Sequence, residues 1–195
     1  MKKYELTAEF IEKWGKKLFR IKALISFGSV EAGELGGYVE KEDNLAQDGD
    51  AWVYGNARVY GNAEVYGDAR VYGNARVCDD AWVYGNAWVC GNARVCDDAW
   101  VYGNAWVCGN ADYLLIGRIG SRFSFTTFFK NKDKGITVSC GCFLGTIAEF
   151  RAKVTDTHGN NKHAKMYNLA ADMAELQILG EEHFDKLNTN KSEPF

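Results

Sequence analysis

The sequence predicts a mainly β protein, a parallel β-helix flanked by a small N-terminal cap and a C-terminal α+β domain. Two observations carry that prediction. From Val53 to Asp112 a six-residue phrase repeats ten times without a gap: Val, then Tyr or Cys, Gly or Asp, Asn or Asp, Ala, and a last Arg, Trp, Glu or Asp. Residues 77–94 and 95–112 differ only at their final position, so the full unit is eighteen residues, three six-residue segments to a coil. One β-branched residue and one alanine per six fits neither helix nor hairpin, but suits one short side of a prism.

The elements follow in order. Residues 1–34 are not repetitive and are expected to cap the first coil, with TAEFIEKW as a short helix and KLFRIKALISFG as a strand. The solenoid is expected to span residues 35–112, with Val39, Leu45 and Ala51 continuing the alanine register at six-residue steps. Strand alternation points alanine and valine inward and arginine, tryptophan and tyrosine outward. Gly-Asn forms each corner, because these residues most readily take positive φ. Residues 113–195 are expected to hold strands at Tyr113–Ile119, Phe123–Lys130 and Ile136–Cys142, with a turn at Asn131–Gly135. Thr146 and Glu149 have capping-box spacing, so a helix should run from there to Thr157; a second should span Lys162–Leu179 and stop at Gly180, before a loose tail.

Folding the sequence by eighteen gives three outer faces of unlike character. The first carries Trp52, Arg70, Trp88 and Trp106, the second the basic ladder Arg58, Arg76, Arg94, and the third Glu64, Trp82 and Trp100 beside Tyr66, Tyr84 and Tyr102. Outward rows of Trp82, Trp100, Tyr84, Tyr102, Trp88 and Trp106 exceed the apolar patch a soluble monomer normally exposes. A homo-oligomer is therefore expected through such a face, in preference to cover by the C-terminal domain. Cys78 and Cys96, like Cys90 and Cys108, are eighteen apart and should stack within disulfide range; reduced thiol ladders are the expectation. Cys140 and Cys142 are expected to pack on one face of a strand. No metal site and no cofactor is expected.

The aliphatic-x-x-x-small-x spacing resembles the hexapeptide-repeat, left-handed β-helix family over residues 35–113. That resemblance implies a left-handed prism, and association through prism sides with a trimer favoured. The whole chain also resembles a group of bacteriophage accessory proteins through its VYGNARVYGNA run, its LGGYVEKEDNLAQDGDAWVYGNA lead-in and its IGSRFSFTTFFKNKDKGITVSCGCFLGT continuation. This second resemblance implies a phage origin. Hexapeptide-repeat acyltransferases and carbonic anhydrases use histidines on the prism, whereas His158, His163 and His183 all lie in the C-terminal domain. An enzyme of either kind is not expected.

A formal charge of −3 gives no push toward nucleic acid or anionic membrane, and no apolar stretch is long enough to span a bilayer. The start, MKKYELTAEF, lacks a signal-peptide core, so the host bacterial cytoplasm is the expected location. The most site-like residues outside the prism are Ser121, Arg122, Thr126, Thr127 and Thr146. A loop offering a hydroxyl, backbone N–H groups and a guanidinium can hold a phosphate. A second glycine-relieved turn, Ser139 to Thr146, feeds a helix N-terminus. The expected function is non-enzymatic: a binder that counters a host process by sequestering an anionic, nucleotide-like signal at a subunit junction. The alternatives are a scaffold docking a host protein through an aromatic or arginine face, and an acyltransferase-like enzyme.

Overall fold

The structure, a computed structural model, describes residues 2–183. The expected loose tail, from residue 184 onward, lies outside the described residues. The chain divides into two compact units, Met1–Asn110 and Ala111–Phe195.

The first unit begins with strands β1 (Tyr4–Lys13), β2 (Lys16–Ala23) and β3 (Leu35–Val39). Ten two-residue strands follow: β4 (Trp52–Val53), β5 (Arg58–Val59), β6 (Glu64–Val65), β7 (Arg70–Val71), β8 (Arg76–Val77), β9 (Trp82–Val83), β10 (Trp88–Val89), β11 (Arg94–Val95), β12 (Trp100–Val101) and β13 (Trp106–Val107). Each of β4 to β10 pairs in parallel with the strand eighteen residues on, as Trp82 with Trp100 and Arg58 with Arg76. The result is a β-solenoid with three walls, β4-β7-β10-β13, β6-β9-β12, and β3-β5-β8-β11 extended by β2 and β1. Val53, Val59, Val65, Val71, Val77, Val83, Val89, Val95, Val101 and Val107 are fully buried, and the alanines beside them nearly so. The expected inward register is observed.

The first coil departs from that register. Val39 pairs with Val59 and Leu45 bridges to Val65, so both sit in the valine column, twenty residues from their partners, and not in the alanine column. Trp52 already pairs with Arg70 at eighteen, so the two additional residues are taken up between Leu45 and Trp52. At the corners a positive φ is general: Gly61 takes +75°, and a Cβ there would approach the backbone of Asp79 on the next coil. Where aspartate replaces glycine, Asp79 and Asp97 adopt the same left-handed conformation.

TAEFIEKW is not a helix. Thr7–Lys13 lie within β1 and Trp14 opens the turn to β2, with which β1 pairs in an antiparallel hairpin, because Tyr4 and Leu18 gain full burial by joining the end of a sheet that helical phase would leave open. The hairpin also covers part of a wall: Leu18 packs with Tyr38, Tyr60, Cys78 and Cys96, Trp14 stacks on Tyr60 at 5.0 Å, and the Arg76 guanidinium lies 4.7 Å over Trp14. Trp52, expected to point into solvent, is fully buried, with Tyr4 and Phe27 edge-on to its ring.

Both stacked cysteine pairs are joined, Cys78 to Cys96 and Cys90 to Cys108, with Cα separations of 4.6 and 4.3 Å. The expected reduced ladders are therefore replaced by two disulfides, since parallel stacking alone brings same-column residues within bonding reach.

The second unit is an antiparallel meander, β14 (Tyr113–Ile119), β15 (Ser124–Lys130), β16 (Ile136–Cys140) and β17 (Phe143–Thr146), followed by α1 (Ile147–His158) and α2 (Lys162–Leu179). Phe128, Ile136 and Val138 pack with Phe150, Val154, Tyr167, Ala171 and Ala174 from the helices. The Thr146–Glu149 capping box opens α1 as its spacing predicts, and the Asn161 side chain accepts from two backbone N–H groups at the start of α2. The long strand expected to end at Cys142 instead turns at Gly141, whose φ is +60°. Cys140 and Cys142 thus do not share a strand face, and β17 is an additional edge strand.

Candidate functional site

Two clefts of opposite character are present. In the solenoid unit a cleft of about 430 Å³ is lined by Glu42, Asp43, Asp48 and Glu64 beside Leu45 and Tyr66. Four carboxylates repel an anion, and Glu42 is already paired with Lys2 at 2.7 Å. In the C-terminal unit a smaller cleft, about 240 Å³, is lined by Ser121, Arg122, Lys153, Thr157, His158 and Tyr167, with Cys140, Cys142, Phe143, Phe150 and Val154 supplying its sulfur and apolar surface. By charge, not size, the second is the one suited to an anion.

Each lining residue has a local reason for its place. Ser121 and Arg122 sit in the turn between β14 and β15, where Gly120 takes a φ of +72°. A Cβ at Gly120 would collide with the Tyr167 hydroxyl, so only glycine lets the turn close down on the ring. Phe150, Lys153, Val154, Thr157 and His158 are spaced as one face of α1, with the buried Phe150 and Val154 rooting it in the core. Gly141 opens the opposite wall, because a Cβ there would stand 3.0 Å from a terminal nitrogen of Arg122.

Tyr167 forms the floor. Burial, with the Cys140 thiol beside it, pushes its hydroxyl up to about 12, against the opposing pull of Arg122 and the Ser121 N–H. The phenol therefore stays protonated across the physiological range. Its ring stacks on His158, which in turn lies 5.9 Å from His163. Lys153 is held by Asp156 at 3.1 Å on the exposed face of the helix. Arg122 is exposed at the cleft mouth.

Of the residues singled out from sequence, Ser121 and Arg122 reach the cleft. Thr126 and Thr127 do not line it: both are buried within β15, and the Thr126 hydroxyl donates to Cys140 Sγ at 3.2 Å. Thr146 is occupied as a cap, accepting from the Glu149 N–H and donating to the Glu149 carboxylate. Lys153, Thr157, His158 and Tyr167 were missed, although the first three share a helical face whose spacing was available once α1 was bounded.

On the solenoid, Trp82 and Trp100 stack 5.2 Å apart, and Tyr66, Tyr84 and Tyr102 stack at 4.7 and 4.5 Å, all nearly parallel. The wall is half self-satisfied, since ring faces meet ring faces and edges point outward. Trp88 and Trp106 are tilted at 5.4 Å, and Trp100 and Trp106 remain the more exposed members of their rows. In the basic ladder Arg58 and Arg76 are half-buried and Arg94 is exposed.

Comparison with known proteins places only the repeat. The YdcK beta solenoid repeat matches residues 51–67, 63–79, 75–91 and 93–109, all inside the solenoid. No curated protein matches the chain. Among the described residues no helix is long and apolar enough to cross a membrane.

Proposed function

We propose that the protein is a phage-encoded, non-enzymatic binder that captures a small anionic, nucleotide-like molecule in the C-terminal cleft, and so withdraws a host signal. The observation that carries this reading is the convergence of Arg122, His158, Ser121 and Thr157 on one concave site. Cationic and hydroxyl donors suit phosphate oxygens, while Phe143, Phe150 and the Tyr167 ring offer apolar surface to a base or sugar. At about 240 Å³ the cleft fits a phosphate with one attached ring more readily than a dinucleotide.

A charge-assisted contact from Arg122 is worth about 1.5–3 kcal/mol, so Arg122→Ala should weaken capture roughly ten- to a hundredfold. The measurement is calorimetry of wild type and variant against linear and cyclic mononucleotides. No micromolar binding by wild type, or equal binding by the variant, would remove the sequestration reading.

A second reading, a scaffold for a host protein, is favoured by one observation, the exposed Trp100 and Trp106 at the end of their rows. Pull-down of a stable partner, lost in Trp100→Ala with Trp106→Ala, would support it. The hexapeptide resemblance adds a left-handed coil to both readings.

A further inference from the structure

The last helix carries an apolar stripe that its own fold does not use. Met166, Leu169, Met173 and Leu176 are exposed by 38, 63, 57 and 45%. The same helix buries Tyr167, Ala170, Ala171, Ala174 and Ile178 against the sheet, so its inward face is already complete. The exposed four follow steps of three, four and three residues, the a/d pattern of a helix that meets another helix.

The charges at the two ends identify the partner. Lys162 and Lys165 stand exposed in the first turn, and Glu181 and Glu182 stand exposed just past Gly180. The first turn holds no acidic residue and the last turn no basic one. This distribution opposes the helix dipole, which favours anions at the N-terminus and cations at the C-terminus. A helix running the other way supplies what is lacking, because its glutamate end would lie beside the lysines and its lysine end beside the glutamates. A second copy of α2 meets both requirements at once. With Met166 of one copy opposite Leu176 of the other, and Leu169 opposite Met173, the stripe is self-complementary about its own midpoint.

We infer that α2 pairs antiparallel with α2 of a second copy of this chain. The tryptophan rows of the solenoid make a poorer seam, since Trp82 and Trp100 spend their ring faces on each other. A single helix pair is smaller than a standard interface, which places the dimer in the weak, concentration-dependent class.

Sedimentation velocity on the full chain tests this. Wild type should pass from monomer to dimer over roughly 1–100 µM, and Leu169→Glu with Met173→Glu should weaken association at least about thirtyfold. Lys162→Glu with Lys165→Glu, and Glu181→Lys with Glu182→Lys, alter only exposed positions; each pair should give monomer alone, and an equimolar mixture of the two variants should recover a dimer. A wild type that stays monomeric would overturn the pairing, and a lower melting temperature of the Leu169→Glu, Met173→Glu variant would then assign the stripe to residues 184–195. Association that survives the stripe variant unchanged, or a mixture that fails to recover, would overturn it as well.

Discussion

The solenoid and the C-terminal unit reach stability by opposite routes. In the solenoid one environment is copied: a valine, an alanine and a corner recur, and each wall repeats the hydrogen bonds of the coil before it. In the C-terminal unit each core residue has its own neighbours, drawn from four strands and two helices. Repetition makes a surface of equivalent places, whereas an aperiodic fold can make one unlike the rest. The difference teaches how a singular surface arises: the cleft under Arg122 and His158 draws its lining from a turn and two helices of unlike sequence, which identical coils do not supply.

The sharpest way to break this comparison is to damage one unit and watch the other. Val83 is fully buried, and an unpaired carboxylate in its place costs several kcal/mol. Val83→Asp should abolish the near-ultraviolet signal of the stacked rings while the far-ultraviolet signal of α1 and α2 persists. Loss of both together would mean that the helices depend on the solenoid.

Reduction comes next in size. Cys78–Cys96 and Cys90–Cys108 each close an eighteen-residue loop between adjacent coils, a constraint typically worth about 2–4 kcal/mol. Denaturant melts followed by tryptophan fluorescence should lose that amount per bond in reductant. A C-terminal transition followed by helical signal should stay in place.

The matching test in the C-terminal unit is Arg151, which donates to Asp172 and Glu175 at 2.7 Å each. Glu175 is buried, so Arg151→Ala leaves a carboxylate without its cation and should cost about 2 kcal/mol. Urea unfolding monitored at 222 nm would show it, with the solenoid transition unmoved.

The smallest effect is a pH dependence. Lys3 is buried, its ammonium donating to the carbonyls of Asp48, Gly49 and Ala51, and burial lowers it to about 8 against the partial support of Asp48 and Asp50. A lysine whose folded value lies below its unfolded one binds fewer protons in the fold, so stability rises as pH climbs above 8. The rise should end near pH 10, where tyrosines ionise in the unfolded chain; burial holds Tyr4 higher in the fold. Thermal melts between pH 7 and 10 should show a shallow increase that Lys3→Met removes.

Much of the solenoid was legible from sequence because one pattern specifies it repeatedly. Period eighteen assigned every column from Trp52 onward, and alternation assigned every inward valine. The capping box and Gly180 bounded the helices for the same reason, since their signals are local. Ser121 and Arg122 were legible as a glycine-turn pair, but what completes their cleft was not. Lys153, His158 and Tyr167 are more than thirty residues away in the chain, and only packing of α1 and α2 on the sheet brings them to that turn. Thr7–Lys13 became strand because β2, laid along the edge of β3, offered an open edge of its own whose hydrogen bonds helical propensity could not outweigh. Thr126 and Thr127 are absent from the cleft lining because burial within β15, invisible in composition, encloses both. Patterns that repeat along the chain are written in the sequence; burial and meetings between distant residues were decided by tertiary structure, because each depends on surfaces that exist only after folding.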